Sequence, residues 1–69
     1  MKKEDIMIRF GRKVKYYRIK KGYTQDELAT ITHVHQHYIS DVERGKRNVT
    51  LKAIEKLAQA LHVNEEDLF

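Results

Sequence analysis

No proline occurs in these 69 residues, and only three glycines do. Proline removes a backbone donor and breaks helices, and glycine weakens them, so this chain can run as helix with only short turns between. The apolar pattern agrees. Ile6, Phe10, Val14 and Tyr17 follow at spacings of four, four and three, one stripe of a first helix over about residues 5–20. Gly22 supplies its stop, because glycine accepts the left-handed conformation common at helix ends. Thr24-Gln25-Asp26-Glu27 is a capping box that starts a second helix. Leu28, Ala29 and Ile31 are its inward residues, and it ends near Ile31 or Thr32. A third helix runs from about Gln36 to Arg44 with Ile39 and Val42 inward; His35, a poor cap, precedes it. Thr50 caps a fourth helix, whose apolar stripe is Leu51, Ile54, Leu57, Ala58 and Leu61. Asn64 and three acidic residues open a short fifth helix ending at Leu68 and Phe69. The expectation is an all-α, five-helix domain over residues 1–69, without linkers, low-complexity tracts or repeats.

A chain of this size holds one modest core. The absence of cysteine excludes disulfides and thiolate metal sites as staples. No run of about 18 apolar residues is present, so no membrane span is expected. Met1-Lys2-Lys3-Glu4-Asp5 opens without the apolar stretch of a signal peptide, which makes a cytoplasmic location the default. Net charge is +4, unevenly placed: residues 1–47 carry twelve Lys and Arg against six acids, and residues 48–69 carry two against four. A basic front and mildly acidic back point to one face turned toward a polyanion. By itself this fits nucleic acid, an anionic lipid surface or no partner at all.

The second and third helices are each about two turns long and separated by a few residues. Such a pair crosses steeply only over a small residue, and Ala29 stands where that contact falls. Leu28, Val34, Ile39 and Val42 fill the angle. Turning Ile39 and Val42 inward leaves Gln36, His37, Ser40, Asp41 and Arg44 outward. That polar, short-chained face suits the reading of base edges in a major groove; an ordinary solvated face fits the helix alone equally well.

Thr24-Gln25-Asp26-Glu27-Leu28-Ala29, followed by Tyr38-Ile39-Ser40-Asp41-Val42-Glu43-Arg44-Gly45-Lys46-Arg47-Asn48, resembles the Xre/Cro-like phage-repressor helix-turn-helix family. The likeness extends from about Phe10 to Leu68, and it looks closest to compact members such as restriction–modification controller proteins and small stand-alone repressors. It implies a lambda-repressor-like fold with the helix-turn-helix over about residues 25–44. It also implies sequence-specific binding of double-stranded DNA and a role in transcription regulation. By the resemblance, Gln25 bonds a phosphate at a helix N-terminus, and Gln36 and His37 read bases from the start of the recognition helix. Ser40 and Asp41 lie one turn on. Asp41 either accepts from cytosine N4 or serves as a negative charge that disfavours the wrong register. Arg44, Lys46, Arg47 and Asn48 grip the backbone from the following turn, and Tyr38 either joins them through its hydroxyl or packs. Arg18 and Glu43 match positions that pair structurally across the first and third helices. Two departures stand out. His33 occupies a turn position where the family usually has Gly, at a backbone site that commonly has positive φ. His35 occupies one where Ser or Thr is usual.

His33, His35 and His37 invite a metal reading, but no Cys and no well-placed carboxylate completes a set. An electrostatic reading is better: protonation at about pH 6 strengthens DNA binding. His37, Ser40 and Asp41 are triad residue types, yet one short exposed helix cannot surround a substrate, and neither an enzyme nor a cofactor is expected. A protein-interaction module, adaptor or antitoxin-like, is the alternative; RNA binding would call for exposed stacking aromatics. One recognition helix reads only a few base pairs. The expected solution is a homodimer on a palindromic operator, joined through Leu61, Val63, Leu68 and Phe69.

Overall fold

The computed structural model describes residues 5–69. Four α-helices follow in order: α1 (Ile6–Lys21), α2 (Gln25–Thr32), α3 (Gln36–Glu43) and α4 (Leu51–Leu61). The fifth helix expected from the sequence is instead a 3-10 helix, Glu65–Leu68. Four residues are too few to sustain an α-helical ladder, and the segment closes through Asp67 N–H to Asn64 C=O and Phe69 N–H to Glu66 C=O.

Side chains begin three of the α-helices. The Asp5 carboxylate accepts from the Met7 amide at 2.7 Å. Thr24 and Glu27 form the reciprocal box, at 3.0 and 2.8 Å. The Thr50 hydroxyl accepts from the Ala53 amide at 3.1 Å. α3 has no side-chain cap, in keeping with His35 at its start.

All four α-helix ends share one device. Gly22, His33, Gly45 and His62 lie in the left-handed region at φ 80°, 60°, 73° and 59°. Each turn sends two amides back into its helix; at the second, the His33 N–H reaches the Thr30 carbonyl and Val34 N–H the Ala29 carbonyl. This is the Schellman arrangement, and it accounts for His33 standing in place of glycine. The stretch Leu-Ala-x-x-x-His-Val occurs twice, at 28–34 and 57–63, and makes the same turn both times.

The core gathers Phe10, Val14, Leu28, Ala29, Ile39, Val42, Leu57, Ala58, Ala60, Leu61 and Leu68. Three residues assigned inward by spacing lie outside it: Ile6, Ile31 and Leu51 are 54%, 44% and 86% exposed. Ile6 and Leu51 open their helices, before either helix reaches the core. On α2 the inward position falls to Thr32, whose buried hydroxyl is satisfied by donating to the Leu28 carbonyl at 2.8 Å. For Leu61 and Leu68 the dimer assignment is corrected as well. Leu61 and Leu68 are 1% and 0% exposed, because the protein's own core consumes them. Val63 is half-buried, and Phe69 lays one side against Phe10 at 5.2 Å between ring centres while remaining partly exposed.

Gly11 fixes how closely α1 approaches α3. A Cβ there would press on the Val42 carbonyl and stand 2.9 Å from the Glu43 carbonyl oxygen, and backbone cannot swing aside as a flexible side chain can. Gly11→Ala should therefore lose about 1–3 kcal/mol or more through overpacking, outweighing the ~1 kcal/mol that alanine adds to helix propensity. A lowered urea midpoint at constant m-value is the expected readout; an unchanged or raised midpoint would show that the crossing relaxes freely.

Candidate nucleic-acid interface

Arg18 extends from α1 to Glu43, the last residue of α3. Its Nε donates to Glu43 Oε2 at 2.6 Å and its Nη2 to Oε1 at 3.1 Å, a two-pronged pair. A third donor, Nη1, reaches the Tyr23 carbonyl at 2.8 Å. The two side chains are only 11% and 3% exposed. In such surroundings an ion pair persists because its geometry and hydrogen bonds offset the loss of hydration.

Gln25 completes the arrangement from the first turn of α2. Its Nε2 donates to Glu43 Oε1 at 3.1 Å, and its Oε1 accepts from Gln36 Nε2 at 2.9 Å. A continuous path thus runs from the buried pair through Gln25 to the first residue of α3. The sequence reading gives Gln25 a phosphate and Gln36 a base. It misses that the two amides hold one another, although two glutamines opening consecutive short helices are the signal.

Along the exposed side of α3, Gln36 and His37 are solvent-facing and Ser40 and Asp41 half-buried, while Ile39 and Val42 point into the core. The four polar side chains therefore share the outward face, as the spacing expects. α2 and α3 themselves contain no Lys or Arg; the next cations along the chain are Arg44, Lys46 and Arg47 in the turn that follows, where Asn48 is also exposed.

Two of those cations fold back onto α3. Arg44 Nη2 donates to Asp41 Oδ1 at 2.8 Å, and Arg47 Nη2 stands 3.7 Å from Asp41 Oδ2. The Arg47 guanidinium also lies over the Tyr38 ring at 4.9 Å, a cation–π contact. The Arg44 hydrogen bond, helped by the charges of His37, Arg44 and Arg47 and opposed by partial burial, holds the Asp41 carboxyl below its ordinary value of 3.8. Burial raises the Tyr38 phenol above 10.0, with Arg47 acting the other way. Tyr38 packs against the core, the second of the two roles the sequence allows it.

This arrangement of two short helices, an exposed polar face on the second and a cationic turn behind it, defines a helix-turn-helix protein. The helix-turn-helix family model matches residues 14–68, and the chain belongs to that family. It is 46% identical over 65 residues to the control protein C.BamHI of Bacillus amyloliquefaciens, covering 93% of this chain and 80% of that one. The control protein C.MunI of a Mycoplasma species is 39% identical over 66 residues, 94% and 89% of the two chains. Among solved structures, the restriction-modification controller protein C.AhdI from Aeromonas hydrophila superposes with a TM-score of 0.88 at 40% identity, over 91% of this chain and 96% of that one.

Arg18→Ala should destabilise the protein by about 3–5 kcal/mol, because it strands a buried carboxylate. Denaturant melts of Arg18→Ala, Glu43→Ala and the double variant test this: the double variant should lose clearly less than the sum. A depressed carboxyl pKa adds stability above its unfolded value that is lost as pH falls through the folded one. The Asp41 carboxyl carbon should accordingly titrate with a midpoint below 3.8 by NMR, and Arg44→Ala should move that midpoint upward.

Proposed function

We infer that this protein binds double-stranded DNA sequence-specifically as a homodimer and regulates transcription, with α3 in the major groove. The single observation that most supports this is Gln36. It stands at the start of an exposed helix, held through Gln25 by a buried ion pair. A pre-oriented amide suits bidentate bonding to adenine N6 and N7. The names of the relatives, control proteins and transcriptional regulators, support the same reading and include no enzyme.

In this proposal residues 1–69 act as one lambda-repressor-like domain. Gln36, His37 and Ser40 meet base edges. Gln25, Arg44, Lys46, Arg47 and Asn48 meet phosphates, with the amides at the start of α2 assisting Gln25. Tyr38 contributes by supporting Arg47. DNA binding places its work in the cytoplasm, and among the described residues no helix is long and apolar enough to cross a membrane.

The dimer face moves from the sequence-based choice. Leu51 at 86% and Phe69 at 43% exposure border one groove, with Ile54, Lys52, Glu55 and Glu65. Phe69, Ile54 and the exposed Ile6 border an adjoining one. A second copy covering this patch would bury apolar surface that the monomer leaves in water.

Selection from a random duplex library should enrich a palindrome with half-sites roughly one helical turn apart. Gln36→Ala should relax one position, losing about 1–3 kcal/mol of discrimination there. Arg47→Ala should weaken all sequences alike and flatten the salt slope by about 0.9. No enrichment, or binding indifferent to salt, would mean that the fold serves a protein partner. In sedimentation, Leu51→Glu should shift the protein from dimer to monomer; a wild type that is monomeric at tens of micromolar would remove the homodimer from the proposal.

A further inference from the structure

Asp41 is surrounded by the cations that DNA requires. Arg44 and Arg47 are assigned above to phosphates, yet both guanidinium groups sit on one carboxylate, at 2.8 and 3.7 Å. The carboxylate side chain is 21% exposed, whereas the arginines remain 58% and 45% exposed. The acid is thus largely covered, and the bases that cover it stay within reach of a ligand. Arg47 is further steadied by the Tyr38 ring. A carboxylate and a phosphate ester offer a guanidinium the same charge and similar oxygen acceptors, so each competes for the same donors.

We propose that Asp41 sets specificity as an internal substitute for phosphate: it holds Arg44 and Arg47 in the free protein, and yields them on every duplex but at lower cost to a well-placed DNA backbone. This deepens the DNA-binding reading and rests on it. On an operator, base contacts fix α3 in the groove, and the turn phosphates arrive where the arginines can exchange one anion for another with little net loss. On unrelated sequence the backbone is held only loosely, and exchange exchanges good hydrogen bonds for poor ones. Uncovering Asp41 also exposes a negative charge beside the polyanion, an unfavourable term that a loosely held backbone does not offset. Asp41 therefore penalises non-specific complexes more than specific ones. This assigns the residue a part distinct from reading cytosine, and it applies the negative-charge alternative to the backbone grip rather than to the base register.

Asp41→Asn tests the idea, since asparagine keeps the shape and an oxygen acceptor while losing the charge. Affinity for a random duplex should rise roughly tenfold, and the slope of log affinity against log salt should steepen by about 0.9, one additional uncompensated cation. Affinity for the selected operator should rise less, so that the ratio of specific to non-specific binding falls. Asp41→Glu, which retains the charge, should keep the wild-type slope and serves as the control. A wild-type protein that binds the random duplex, with an Asp41→Asn variant unchanged in affinity and slope, overturns the proposal while leaving the DNA-binding reading intact. So does a variant that only relaxes one operator position, which would make Asp41 a base reader. A wild type that binds neither duplex overturns both readings.

Discussion

The buried pair between Arg18 and Glu43 is the contact on which the helix-turn-helix depends. It joins α1 to the end of α3, and through Gln25 it reaches the beginning of α2. Taking two charges out of water is costly, and a hydrophobic replacement of equal shape often does as well for stability. What such a replacement cannot do is accept from Gln25 and leave Gln25 free to accept from Gln36. The charge pair thus connects the stability of the fold to the orientation of the side chain that opens the recognition helix. Gly11 belongs to the same construction, because its missing side chain lets α1 approach the carbonyls of Val42 and Glu43.

Around that fixed centre the exposed face is divided by range. Gln36 is tied to the framework, while Arg44 and Arg47 are held by a surface carboxylate. The Arg18–Glu43 pair is buried and Gln25 half-buried, with only the last link, Gln25 to Gln36, at the surface, whereas the Asp41 pairs are surface ion pairs, weak and screened by salt. The rigid part suits base edges, whose positions are fixed by the duplex. The exchangeable part suits phosphates, whose arrangement differs between a matched site and a random one. The apolar patch at Leu51, Ile54 and Phe69 is made by α4 and the end of the 3-10 helix, and its adjoining groove reaches Arg47 and Asn48 of the cationic turn.

Much of this was legible in the residues. Caps and stops are local, and Thr24, Glu27, Gly22 and Thr50 act where their chemistry places them. His33 carries its positive φ because imidazole tolerates a conformation that a β-branched side chain resists. Ile6, Ile31 and Leu51 misled, since spacing within a helix gives a direction but not whether a neighbour waits in that direction. Thr32 is buried because its hydroxyl finds a carbonyl within its own helix, which an apolar stripe does not register. Leu61 and Leu68 look like apolar surplus in a short tail, but the 3-10 helix folds back on α1 and α4 and both are buried in the core. The tie of Gln25 to Gln36 depends on how two helices face each other, and that of Arg47 to Asp41 on how the turn folds back. Arg44 and Asp41, by contrast, stand at i,i+3 spacing, which a single helix already shows.

In the proposed complex the buried pair orients the Gln36 amide toward a base edge. A double-mutant cycle on operator binding tests it, with Glu43→Gln, Gln36→Ala and their combination compared on the matched site and on a site changed at the position Gln36 reads. The account predicts coupling well beyond ~0.5 kcal/mol, the range within which independent sites add, with Gln36→Ala losing most of its effect once Glu43 is altered. Additive effects, with full discrimination retained by Gln36 in the Glu43→Gln protein, would contradict it and leave the ion pair a support for folding alone.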